Sequence, residues 1–184
     1  MTEGPRREHD GPMAAPIEID VWQGDIAELE VDALVVSANE SLFMTTGPAA
    51  SVKRHGGEEI ERAAVEQGPI AAGSAVVTPA GSLAAGYVIH TVAVGHDRAA
   101  DAMRLQSALR AALALAAPLQ LRRIAVALVG VEFGVFSAEE AAQQLVEAIA
   151  AAGAPLESVV LATATPAETR AVSAALAAHR ATAR

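Results

Sequence analysis

Six short runs rich in β-branched and apolar residues punctuate the chain, and their alternation with amphipathic helical stretches constrains the fold more than any other feature. The runs are 17–22, 31–37, 74–79, 87–94, 124–129 and 158–164. Val31 to Ser37 and Ile124 to Val129 are apolar throughout, as strands buried on both faces must be. Ile17 to Trp22 alternates apolar and polar residues and reads as an edge or second-layer strand. Between the runs, Pro48 suits a helix start, and Val52, Ile60 and Ala63-Ala64 continue a helical face to about Glu66, before Gly68-Pro69. Ala99 to Ala117 reads as a helix with Met103, Leu105, Leu109, Leu113 and Leu115 on its buried side, stopped by Pro118. Ser137 is placed as an N-cap, with Glu139 and Glu140 in the first turn where the helix dipole favours them, and that helix should end at Gly153. Pro166 opens a last Ala-rich helix to about Arg180.

The order β–β–α–β–β–α–β–α–β–α implies an α/β fold: a mixed, largely parallel sheet covered by helices on both faces. Residues 17–180 read as a single domain, and Pro, Gly and charge mark residues 1–16 as a disordered tail. Ligands in such sheets bind outside the carboxyl ends of the strands, here the loops after Ser37, Val94 and Val129.

Composition narrows the function. A net charge of −9 with a single lysine, Lys53, argues against a nucleic-acid-binding face, and Arg122-Arg123 reads as a solvated strand entry. A phosphorylated ligand would then depend on backbone N–H groups and helix N-termini. No apolar run approaches the ~20 residues a bilayer span needs. There is no cysteine, so neither disulfide nor thiolate chemistry is available. The expected compartment is the cytoplasm and the expected state a monomer. Phosphate-loop, dinucleotide, serine-hydrolase and zinc-protease motifs are all missing, and no cofactor is implied. His90 and His96 lack metal-ligand company; His90, ending a buried strand, reads as a hydrogen-bonded structural group.

From Trp22 to Gly95 the chain resembles the macro domain family. The matching pieces are Gly24-Asp25-Ile26, Val31 to Asn39, the loop Leu42 to Gly47, Lys53 to Ile60, Gly68-Pro69-Ile70, Gly73 to Thr78 and Tyr87 to Val92. With gaps the likeness runs to about Ala151. It implies a three-layer α/β/α domain that binds ADP-ribose or an ADP-ribosylated macromolecule. It also implies ligand contacts at Asp25, Ile26, Asn39, Thr45, Thr46, Gly47, Gly130, Val131, Glu132, Phe133, Gly134 and Phe136.

By that resemblance Asp25 accepts from the adenine amino group; the alternative is a turn-capping Asp before Ala27. Asn39 matches the asparagine that contacts the distal ribose and is the candidate catalytic residue, or else it is a left-handed loop Asn. Met44, Thr45 and Thr46 stand where the family has glycines, leaving Gly47. Ala49 stands where hydrolytic members carry an aspartate. Phe136 is placed to stack on adenine. Glu132 replaces a glycine of the phosphate loop, where a carboxylate would repel a diphosphate. It either faces solvent, the preferred expectation, or serves as a base or ribose acceptor. Three functions follow: removal of ADP-ribose from acidic residues of modified targets, ADP-ribose binding without catalysis, or a decayed domain with another ligand.

Overall fold

The computed structural model describes residues 16–99, 101–152 and 155–182. The tail expected over residues 1–16 thus falls, up to residue 15, outside the described residues, and so does Gly153.

Strands β1 (Glu18–Gln23), β2 (Ala33–Ser37), β3 (Ser74–Pro79), β4 (Tyr87–Val92), β5 (Arg123–Ala127) and β6 (Ser158–Thr163) form one sheet. Its order is β1-β6-β5-β2-β4-β3. All neighbours are parallel except β3, which lies antiparallel on β4. Among the described residues five helices cover it: α1 (Gly47–Gly56), α2 (Glu58–Val65), α3 (Ala102–Ala114), α4 (Ala138–Ala150) and α5 (Pro166–Thr182). This is the mixed, mostly parallel sheet between helices that the alternation predicts. Among the described residues no helix is long and apolar enough to cross a membrane.

The period-2 geometry of a strand sends successive side chains to opposite faces, and the core divides accordingly. Ala33, Val35, Ile124, Val126, Val159 and Leu161 pack toward α3, α4 and α5. Their neighbours Leu34, Val36, Ala125, Ala127, Val160 and Ala162 pack toward α1 and α2. On this second face three of the positions on β5 and β6 are alanine, which leaves unfilled volume at the carboxyl ends of both strands.

Two helix expectations are corrected. The helix expected from Pro48 to about Glu66 is broken, because Gly57 takes φ 111° between α1 and α2, a region that strains side-chain-bearing residues. The freed carbonyl of Gly56 accepts from Ser82 N–H at 2.8 Å. The helix expected from Ala99 starts at Ala102, capped by Asp101, whose side chain accepts from Met103 N at 2.9 Å. Its buried stripe is Leu105, Ala108, Leu109, Ala112 and Leu113, the i, i+3, i+4, i+7, i+8 pattern. Met103 falls off that stripe and is 77% exposed; Leu115 lies past the last turn. The Ser137 cap is present as a complete capping box with Glu140.

His90 is fully buried on β4, with Nε2 2.9 Å from the Thr78 hydroxyl of β3. Burial lowers its pKa to about 4, so the ring is neutral and structural at neutral pH.

Candidate functional site

The main cleft, of about 530 Å³, opens at the carboxyl ends of β1, β5 and β6 beside α1. That size falls in the range of small-molecule sites. Ala127 and Ala162 form part of its floor, so the cavity exists because the side chains that would fill it are methyl groups.

One wall is built around Asp25. The side chain caps the short 3-10 turn Ile26–Glu28, accepting from Ala27 N at 3.1 Å. Its other oxygen accepts a short hydrogen bond from the Ser51 hydroxyl of α1. Arg54 Nη2 lies 3.7 Å and His55 Nδ1 3.9 Å from that oxygen. His55 Nδ1 is also 3.0 Å from the Ser51 carbonyl, which can only accept, so Nδ1 carries the hydrogen. Burial alone would raise the Asp25 pKa, but Ser51, Ala27, His55 and Arg54 together hold it below its ordinary value. The capping alternative is therefore realised, and the same carboxylate still lines the cleft.

The sequence does not mark Ser51, Arg54 and His55 as partners of Asp25, although their i, i+3, i+4 spacing puts them on one helix face. Thr163, Ala164 and Glu168 also line the cleft. Thr163 ends β6 and the other two follow it, and only the strand order places β6 beside β5. The loop after Val94, expected at the site, instead borders a separate polar hollow with Glu40, Asp97 and Arg104. There His96 Nδ1 makes a close contact with Glu40, and no metal-holding cluster occurs among the described residues.

The loop before α1 is tied down from behind. Met44 is fully buried, and its N–H donates to Glu61 Oε2 at 2.6 Å. Lys53 Nζ holds the same oxygen at 3.0 Å. Burial would raise the Glu61 pKa, but these two partners lower it. Thr45, Thr46 and Gly47 are consequently presented as an exposed edge, with Gly47 at φ 56°. Ala49 faces the core rather than the cleft. Asn39 lies at the end of β2, its Oδ1 accepting from Phe43 N at 3.2 Å. It is not left-handed; Leu42, at φ 62°, takes that conformation.

The loop after β5 is anchored where Gly130 N donates to the buried Ser37 hydroxyl at 2.8 Å. Gly134 N closes a turn on the Val131 carbonyl, and Arg98 holds the Phe133 carbonyl at 2.8 Å. Val131 and Glu132 line the cleft with Ile26 and Gly47. Phe136 does not: its ring packs on Gly130, where an added Cβ would lie 2.6 Å away, and it belongs to the α3 and α4 side of the core. The stacking expected of it is thereby corrected.

Glu132 overturns its expectation too. It does not face solvent; both carboxyl oxygens are buried and have no hydrogen-bond partner. Burial raises its pKa, against the nearby Ser37 hydroxyl and the N–H groups of Glu132 and Gly130. Those groups lie close enough to favour the charge without reaching hydrogen-bond geometry, and Glu168 pushes the pKa further up.

The family model described as Macro domain matches residues 35–145. An uncharacterized protein of Aquifex aeolicus is 40% identical over 134 residues, covering 72% of this chain and 81% of its own length. An uncharacterized protein of Mycobacterium tuberculosis is 36% identical over 175 residues, covering 95% of this chain. This chain spans about half the length (49%) of that mycobacterial relative. Among solved structures, an Oceanobacillus iheyensis macrodomain with MES bound superposes with TM-score 0.81 at 19% identity, covering 88% of this chain and 92% of the other. A Trypanosoma brucei macrodomain in complex with ADP-ribose gives TM-score 0.81 at 21% identity, covering 89% and 72%.

Proposed function

This chain belongs to the macro domain family, and from that premise we propose that its cleft binds ADP-ribose, with the adenine against Asp25. The observation that carries the reading is the Asp25 carboxylate itself, ionised and held in a cleft of suitable size by Ser51 and Ala27. A charged acceptor that is already positioned binds an amino group without first paying to be ordered. Ile26 and Val131 supply apolar surface beside it, and Thr45, Thr46 and Gly47 offer hydroxyls and backbone N–H groups to the ribose and phosphates. Calorimetric titration with ADP-ribose tests this: saturable heat is expected, and none at about 1 mM ligand would refute it.

A second reading is hydrolysis of an ester between ADP-ribose and an acidic side chain of a target. It consumes one water and yields free ADP-ribose and a carboxylic acid. Its support is Asn39, whose Oδ1 is fixed by Phe43 N–H, an orientation that leaves Nδ2 to donate to the distal ribose. Holding such a reactive bond beside a positioned water lowers the barrier without a protein acid at position 49. Loss of label from a glutamate-modified protein should occur with the native chain and fail with Asn39→Ala. Label lost equally by both would remove Asn39 from the mechanism.

A further inference from the structure

Among the described residues, one carboxyl in the cleft has no hydrogen-bond partner. Both Glu132 oxygens are out of solvent and unpartnered, which is costly for a carboxyl in any state and most costly for a charged one. The side chain is not there by slack packing. It crosses from the β5 loop to the start of α1, where a Cβ built on Gly47 would lie 3.0 Å from its own Cβ. Glycine at position 47 leaves room for it, and a methyl there would press on it.

The groups around it explain why no partner is supplied. Gly130 N–H is committed to the Ser37 hydroxyl, and neither that hydroxyl nor the Glu132 N–H reaches the carboxyl in hydrogen-bond geometry. From α5 comes Glu168, and from the turn after β1 comes Asp25, both acidic. From α1 comes Arg54, the one cation lining the cleft among the described residues; its Nη2 donates to Ser51 at 2.8 Å beside Asp25, and His55 Nδ1 lies 3.9 Å from the same carboxylate. A diphosphate entering this cleft meets a single guanidinium, one that is held toward the Asp25 wall. Glu132 lines the same cleft, and its carboxyl, once turned toward the ligand and protonated, offers a single hydrogen-bond donor.

We propose that Glu132 determines the specificity of this cleft for a diphosphate by donating a hydrogen bond from its protonated carboxyl to a phosphate oxygen, so that ligand binding takes up a proton. The inference rests on the ADP-ribose reading above. The bookkeeping is simple: one proton moves from solvent to a Glu132 oxygen, and no covalent bond of the ligand changes. Each phosphate of a diphosphate diester has already lost its single strongly acidic proton, so the ligand does not titrate near neutrality. Burial and Glu168 already favour the protonated form in the free protein, and the incoming negative charge favours it further. Affinity is then highest at acidic pH. It falls as pH rises, at up to about tenfold per unit between the titrations of the free and bound carboxyl.

Titration calorimetry from about pH 5 to pH 8, in paired buffers of different ionisation enthalpy, counts the protons. The native chain should take up as much as one proton with ADP-ribose and none with adenosine, which offers the same base without a diphosphate. Glu132→Gln keeps a donor and cannot titrate, so its affinity should not vary with pH and its proton uptake should vanish. Glu132→Ala should bind more weakly than the native chain at the acidic end and lose the pH dependence. Thermal melts of both variants establish that they fold. Native affinity that is flat with pH, uptake that persists in Glu132→Gln, or a folded Glu132→Gln that binds no better than Glu132→Ala would each overturn the proposal while leaving ADP-ribose binding in place. Failure of every form to bind ADP-ribose would instead overturn the underlying reading, and this one with it.

Discussion

The cleft is bounded by two acidic side chains that the fold treats in opposite ways. On the β1 side, Asp25 caps its own turn, accepts from Ser51 and sits near Arg54 and His55, so its charge is fully answered before any ligand arrives. On the β5 side, Glu132 is more deeply shielded, and neither of its oxygens has a hydrogen-bond partner among the described residues. One pKa is pushed down and the other up. The contrast shows that burial alone does not set the fate of a carboxyl; the local supply of donors does. It also divides the labour: a preorganised acceptor on one wall, and on the other a group whose satisfaction waits for something that enters.

The largest effect should come from removing the answered acid. Asp25→Ala should weaken ADP-ribose binding by about 1.5–3 kcal/mol, the worth of a charge-assisted hydrogen bond, read by calorimetry. An unchanged affinity would mean that Asp25 is only a cap. Next, Glu132→Gln should stabilise the ligand-free protein at alkaline pH by about 1–3 kcal/mol, because the unanswered charge is gone. The sign follows from linkage. A carboxyl whose folded pKa is raised contributes stability at low pH that is lost as pH rises through the folded value, so the variant's advantage should disappear on acidification. Denaturant melts at two pH values decide this, and an equal advantage at both would contradict the contrast. Gly47→Ala should cost about 1–2 kcal/mol, since φ 56° is left-handed and the new methyl would press on Glu132. Its effect should shrink in a Glu132→Ala background if the crowding contributes. Smallest is Ser51→Ala, expected to cost about 1 kcal/mol and to raise the Asp25 pKa by removing its hydroxyl donor. An NMR titration of the Asp25 carboxyl measures the shift.

The sheet was legible because strand periodicity and burial are local properties: β2 and β5 could be recognised from their apolar runs, and the Ser137 cap from its acidic first turn. What local pattern could not show was adjacency. That β6 lies between β1 and β5, and so brings Thr163 and, on the helix that follows it, Glu168 to the cleft, depends on strand order. That α1 and α2 separate at Gly57 depends on Ser82 reaching the Gly56 carbonyl from a distant loop. Asp25 was found by its place in a motif, whereas its partners Ser51, Arg54 and His55 needed the third dimension. Glu132 stands out in the sequence as a departure, but its direction does not. A glutamate in a loop faces water unless the opposite wall makes room, and that room is a property of Gly47, eighty-five residues earlier in the chain.

The tether behind the Thr45–Gly47 edge has a practical side. Lys53 is the only lysine in the sequence, and its amine is bound to the carboxylate that also holds Met44 N–H. An acylating reagent therefore finds a single side-chain target, and finds it engaged. Because acylation requires a free, deprotonated amine, the rate at which this position is labelled becomes a native gauge of how often the loop lets go. The protein carries its own reporter of that opening, with no dye or engineered residue required.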